Sequence, residues 1–182
     1  MRLAQHDVGP SYADELASVG YKITSIDELV RLRDHGVSVR FIRDLRSLGY
    51  ANLSIDELQR FIDHGVRARL IADLAADGYH NLSADDLVNS VDHGVSPDFI
   101  EQTRRLGWGH VSLEKLVQLT DHGVTDDYID GLAKRGYAHL TIEELTELAD
   151  HGVTVSFIDR LQAHGYKNIS VPDMIRLSDR GI

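Results

Sequence analysis

An Asp-His-Gly tripeptide starts at Asp34, Asp63, Asp92, Asp121 and Asp150, and Asp179-Arg180-Gly181 continues the series. Aspartate and histidine are metal ligands and acid–base groups, so five copies invite a metal-site or proton-transfer reading. The spacing speaks against it. Neighbours on a helix point about 100° apart, and equivalent residues of stacked helices are expected about 10 Å apart. Zinc needs ligand atoms at about 2 Å in a tetrahedron, so one such column lacks converging ligands. The structural reading is that His35, His64, His93, His122 and His151 close helix C-termini. There an imidazole bonds the last free carbonyls and suits the negative end of the dipole. The adjoining carboxylate is repelled by that dipole, so its recurrence predicts a compensating donor. The candidates are an amide opening the next helix, a Tyr hydroxyl, or a His of the next repeat. No metal and no cofactor is assigned.

Other chemistry-bearing residues fall into the same register. Tyr21, Tyr50, Tyr79, Trp108, Tyr137 and Tyr166 each follow a glycine. They could form a recognition ladder, but an aromatic there more often closes the helix end and fills the space between layers. Gly107-Trp108-Gly109 lacks the rest of a nucleotide fingerprint. No Ser-His-Asp order, paired-carboxylate pocket or phosphate loop departs from the repeat template, and no residue is assigned as catalytic.

The elements that must position these residues follow from the period, which is 29 residues without insertion or deletion. In Leu53-Ser54-Ile55-Asp56-Glu57-Leu58, Ser54 and Glu57 make a capping box, and Leu53 with Leu58 makes a hydrophobic staple. This A-type helix continues through Phe61 and Ile62 and stops at Gly65, with Val66 packing back on its last turn. Gly36, Gly65, Gly94, Gly123 and Gly152 hold the same position in successive repeats. A B-type helix follows at once, capped by Ser38, Ser96, Thr125 or Thr154, with Arg67 a weak substitute. Its apolar residues Phe41, Ile42, Leu45 and Leu48 lie on one helical face, and Gly49 ends it.

About twelve short helices result. A pair this short cannot bury its apolar faces alone, so the predicted fold is all-α, an α-solenoid of six two-helix repeats. The chain reads as one repeat domain over 1–182, with units at about 8–36, 37–65, 66–94, 95–123, 124–152 and 153–182. Polar capping repeats are expected at solenoid ends. Yet the first helix shows Tyr12, Leu16 and Val19, and the last shows Met174, Ile175 and Leu177, so both ends read as uncapped.

Function in such a scaffold is expected where exposed positions differ between repeats. Two columns on the B-type helices qualify, three residues apart and so on one face. One reads Arg40, Arg69, Asp98, Asp127, Ser156, and the other Arg43, Ala72, Glu101, Asp130, Asp159. Residues 31–70 hold eight basic and five acidic groups, whereas 71–182 hold nine and nineteen. The expected surface is an acidic strip of Asp98, Glu101, Asp127, Asp130 and Asp159, with Arg40, Arg43 and Arg69 as a basic patch beside it. Plain solvated surface is the alternative.

Composition narrows the partners. A net charge of −10 lacks the basic footprint of nucleic-acid binding. No apolar run reaches the roughly 18 residues of a membrane span, and nothing at Met1-Arg2-Leu3 resembles a signal peptide. With no Cys the redox compartment stays undetermined, leaving cytoplasm and periplasm both open.

The unit Gly-Tyr-x-Asn-Leu-Ser-x-Asp-Glu-Leu…Asp-His-Gly-Val…Phe-Ile resembles tandem units found outside the protease domain of bacterial membrane metallopeptidases of the β-lactam-sensor type, and in related bacterial proteins. The likeness runs from Val8 to Ile182. It implies a bacterial origin and an envelope location. It implies no catalysis here, because the His-Glu-x-x-His zinc motif of those peptidases is absent. The expected function is a non-enzymatic scaffold for protein–protein interaction or sensing, with a protein or peptide partner. The alternative is a structural array that self-associates end to end.

Overall fold

The computed structural model describes residues 10–181, and these contain twelve helices and no strand. The architecture is all-α, an α-solenoid of two-helix repeats. The B-type helices are α1 (Pro10–Ser18), α3 (Val39–Ser47), α5 (Ala68–Ala76), α7 (Pro97–Arg105), α9 (Asp126–Ala133) and α11 (Val155–Ala163). Alternating with them are the A-type helices α2 (Ile26–Asp34), α4 (Ile55–Asp63), α6 (Ala84–Asp92), α8 (Leu113–Asp121), α10 (Ile142–Asp150) and α12 (Val171–Asp179). The chain divides into two compact halves, the first closing at Asp92 and the second opening at His93.

Each short helix is closed at both ends by local chemistry. Ser54 Oγ accepts from the Glu57 amide at 3.1 Å, and Glu57 Oε2 accepts from the Ser54 amide at 2.7 Å, the reciprocal box read from the sequence. Thr141 and Glu144 repeat it at α10. The amide bond lowers the Glu57 pKa from its ordinary value, because it favours the charged carboxylate. Arg67 offers no side-chain cap to α5. At the other end of α4 the Val66 amide reaches Phe61 O at 2.7 Å and the Gly65 amide reaches Ile62 O at 3.1 Å. This pairing requires a left-handed residue at the turn. Gly65 supplies it with φ 74°, and Gly94 does the same with φ 74°.

Within each half, helices of one type pack on the next of that type. α3 lies against α5 and α4 against α6; in the second half α7 packs on α9, α9 on α11, and α10 on α12. The buried columns are Leu16, Leu45 and Leu74 from B-type helices and Leu58, Leu87, Leu116, Leu145 and Met174 from A-type helices, all at or near zero exposure. Ser90 and Thr103 interrupt the apolar columns while fully buried. Each satisfies its hydroxyl within its own helix, Ser90 on Leu87 O at 2.9 Å and Thr103 on Ile100 O at 2.7 Å.

One expectation about the ends is corrected. Tyr12, Leu16, Val19 and Met174 are buried, so they form the inward face of their helices and not an open end surface. Ile175 and Leu177 are half-buried. The large apolar side chains exposed among the described residues are Ile26 and Tyr166.

Candidate functional site

The Asp-His pairs become the joint between successive repeats. The last residue of each A-type helix is the Asp; in α2, α4, α8 and α10 the following His is the cap residue, whose backbone amide bonds carbonyls of the final turn, and in α12 Arg180 takes that place. The imidazole Nδ1 reaches the Asp of the following repeat. His35 meets Asp63 at 2.7 Å and His64 meets Asp92 at 2.8 Å in the first half. In the second half His93 pairs with Asp121, His122 with Asp150 at 2.6 Å, and His151 with Asp179 at 2.8 Å. The compensating donor for each carboxylate is therefore the His of the preceding repeat, and Nδ1 serves it in place of a helix carbonyl. His164 makes the carbonyl bond instead, to Arg160 O at 2.8 Å beyond α11. Among the described residues no three His, Cys, Asp or Glu side chains are grouped to hold a metal ion.

Aromatic side chains form a second seam. Tyr21 and Tyr50 donate their hydroxyls to Leu53 O at 2.7 Å and Leu82 O at 2.8 Å, and Trp108 Nε1 donates to Leu140 O at 3.3 Å. Each acceptor lies 32 residues on, just ahead of the next A-type helix. Tyr79 is buried and Tyr137 half-buried, in keeping with a packing role. Tyr166 departs from it, standing 61% exposed. Tyr12 and Tyr128 do the same work from within B-type helices, donating to Val37 O at 2.6 Å and Val153 O at 2.7 Å. Burial pushes the Tyr128 hydroxyl up to about 12 and raises Tyr12, Tyr21 and Tyr50 as well, since phenolate is penalised away from water.

The charge columns are divided between the two halves. In the first half Arg40 and Arg69 are highly exposed and loosely paired within their own helices, to Asp44 at 3.8 Å and Asp73 at 3.6 Å. They flank a shallow groove of about 380 Å³ that also takes in Phe41 and Ile62. Arg43 is exposed on the same helix as Arg40 but stands outside that groove.

The second half brings Asp98, Glu101, Asp127 and Asp130 together around a groove of about 230 Å³ between α7 and α9. Three further residues line it that the column reading missed: Gln102, Arg105 and Asp126. Gln102 Nε2 donates to Asp130 Oδ1 at 2.5 Å, and Arg105 Nε donates to Glu101 Oε1 at 3.2 Å. Both lie one helical turn beyond a column member, at Asp98 and Glu101, which is the signal that would have found them. Asp159 leaves the strip. Arg135 grips it through Nε and Nη2, both at 2.6 Å, and this pairing lowers the Asp159 pKa. The candidate surface is thus an acidic groove in the second half with five carboxylates and one guanidinium on its walls.

No family model matches the chain, and no curated protein matches it.

Proposed function

We propose that this chain is a non-enzymatic α-helical repeat scaffold that binds a protein or peptide partner, with the acidic groove of its second half as the contact surface. The observation that carries the reading is the division of labour among polar side chains. Five of the ten His, each with an Asp partner, are committed to joints between repeats. Of the residues that vary from repeat to repeat, the four acidic ones Asp98, Glu101, Asp127 and Asp130 meet at one groove of the second half. Its charge selects a basic segment, and the Debye length of about 8 Å at physiological salt confines strong attraction to a partner in contact. The resemblance of the repeat to tandem units of bacterial membrane peptidases supports a regulatory or sensory place within a larger bacterial protein.

The test is a variant in which Asp98, Asp127 and Asp130 are all replaced by Lys. Capture of the native partner, and anisotropy with a fluorescent lysine-rich peptide as probe, should both be lost while helicity is kept. Binding should weaken steeply with salt in the parent chain. Capture that survives the triple replacement across a salt titration would overturn the groove as the binding site.

A further inference from the structure

Arg40, Arg67 and Arg69 line one groove of the first half, about 380 Å³ in volume, where the starts of α3 and α5 adjoin. A single carboxylate, Asp44, stands on its walls against the three guanidiniums. Other repeats do not carry this set. The Arg67 column holds Ser38, Ser96, Thr125 and Thr154, and the column of Arg40 and Arg69 turns to Asp98 and Asp127. Arg67 gives α5 no side-chain cap and holds no ion pair among the described residues. Arg40 and Arg69, each 91% exposed, reach Asp44 and Asp73 only at 3.8 and 3.6 Å. Charge-assisted bonds close at about 2.7–2.9 Å, so both guanidiniums can turn to a ligand at little cost. The floor is apolar. Phe41 and Ile62 line it half-buried, whereas Tyr12, Phe99 and Phe157 are buried at the Phe41 position. Tyr128, half-buried there too, holds Val153 O through its hydroxyl, a bond that Phe41 cannot make. Ala68 leaves the room, as the smallest residue of a column that holds Pro10, Val39, Pro97, Asp126 and Val155.

We infer that this groove binds an acidic peptide segment, with carboxylates on Arg40, Arg67 and Arg69 and an apolar side chain between them on Phe41 and Ile62. The site is separate from the acidic groove and opposite in charge, so each reading stands or falls alone. Guanidinium matches carboxylate in a planar, bidentate geometry. Three guanidiniums around an apolar floor ask for a ligand that carries both charge and apolar surface. A nucleic acid brings charge at every phosphate, but it approaches a chain of formal charge −10, whose field repels a long polyanion. A short segment seated in the groove feels chiefly the guanidiniums it touches, because the Debye length is about 8 Å at physiological salt.

Fluorescence anisotropy on the full chain reads the outcome, with a labelled peptide of glutamates flanking a leucine as probe. The peptide should bind, and added salt should weaken it. Arg40→Glu combined with Arg69→Glu should abolish binding with circular dichroism unchanged, because both side chains are exposed. Arg67→Ser separates binding from folding. It should weaken the peptide several-fold and yet raise the denaturation midpoint, since it returns the cap hydroxyl that other repeats carry. A parent chain that does not bind the peptide overturns the inference, as does undiminished binding in either variant. Equal affinity for a glutamate peptide lacking leucine overturns it as well, by removing the apolar floor from recognition. Tighter binding of polyuridylate or of phosphatidylserine vesicles assigns the arginines to phosphate and overturns it. Mass that rises with concentration in light scattering, and stops rising in the double Glu variant, assigns the groove to a second copy and overturns it equally.

Discussion

A carboxylate as the last residue of a helix faces the negative end of the dipole, which by itself lowers stability. Five such residues persist here because the His of the preceding repeat reaches each one. The pairs are a third to a half exposed, so each bond is modest in strength. In a double-mutant cycle of His35→Ala and Asp63→Ala, the coupling should be about 0.2–1 kcal/mol by denaturant titration. A coupling indistinguishable from zero would reduce the joint to coincidental proximity. The glycine after each His carries a different constraint. Gly94 has φ 74°, and a Cβ built there meets nothing within 4 Å, so the penalty for a side chain is purely conformational. Gly94→Val should therefore destabilise by about 1–3 kcal/mol, and Gly94→Asn by clearly less, because Asn tolerates the left-handed region. Equal losses in both would point to crowding instead.

At the level of elements, a glycine inside a helix does the opposite job. Gly131 lies within α9, where glycine costs about 1 kcal/mol in helix propensity. An added Cβ would come within 2.6 Å of Val155 Cγ2 at the start of α11, so the glycine permits close approach of the two helices. Gly131→Ala should thus lose roughly 1–2 kcal/mol in thermal or denaturant melts despite its better propensity, because overpacking outweighs it. Adding Val155→Ala should recover part of that loss by removing the obstructing methyl groups. Full stability in Gly131→Ala alone would show that α11 can shift. Helix ends and faces were legible in the sequence because they rest on local chemistry: Ser54 and Glu57 are three residues apart, and Gly65 marks its own turn. Partners across a joint were only half legible. The 29-residue period told that Asp63 needed a donor, but the direction depended on the His standing one residue beyond the helix, which favours the preceding repeat. Tyr166 was read as core because its column is core. Burial there depends on a neighbouring surface, which the column itself does not specify. Asp159 shares a column with Asp130, yet Arg135 claims it from a position held by Val19, Leu48, Asp77, Leu106 and His164 in the other repeats. Exceptions of that kind are invisible to a repeat average.

For the molecule as a whole, stability should be a sum over repeats and joints, because bonds in each half run to adjoining repeats. The last repeat is the most direct test. Deleting 154–182 removes α11 and α12, about one sixth of the helical residues. It also deletes Asp179 opposite His151, Asp159 opposite Arg135, and Gln162, whose amide donates to Arg135 O at 3.0 Å. Val153 O, the acceptor of the Tyr128 hydroxyl, is retained, so α9 keeps its tie to the end of α10. The cut exposes apolar surface of α9 and α10 that α11 and α12 had covered, and apolar area returned to water costs about 25 cal/mol per Å². The truncated chain should therefore fold, lose about one sixth of its helical circular dichroism, and unfold at lower denaturant with a smaller slope. A globular core shared by all twelve helices would behave differently, since removing two of them would break contacts everywhere at once. Collapse of the whole helical signal on truncation would show that kind of core and refute the additive description.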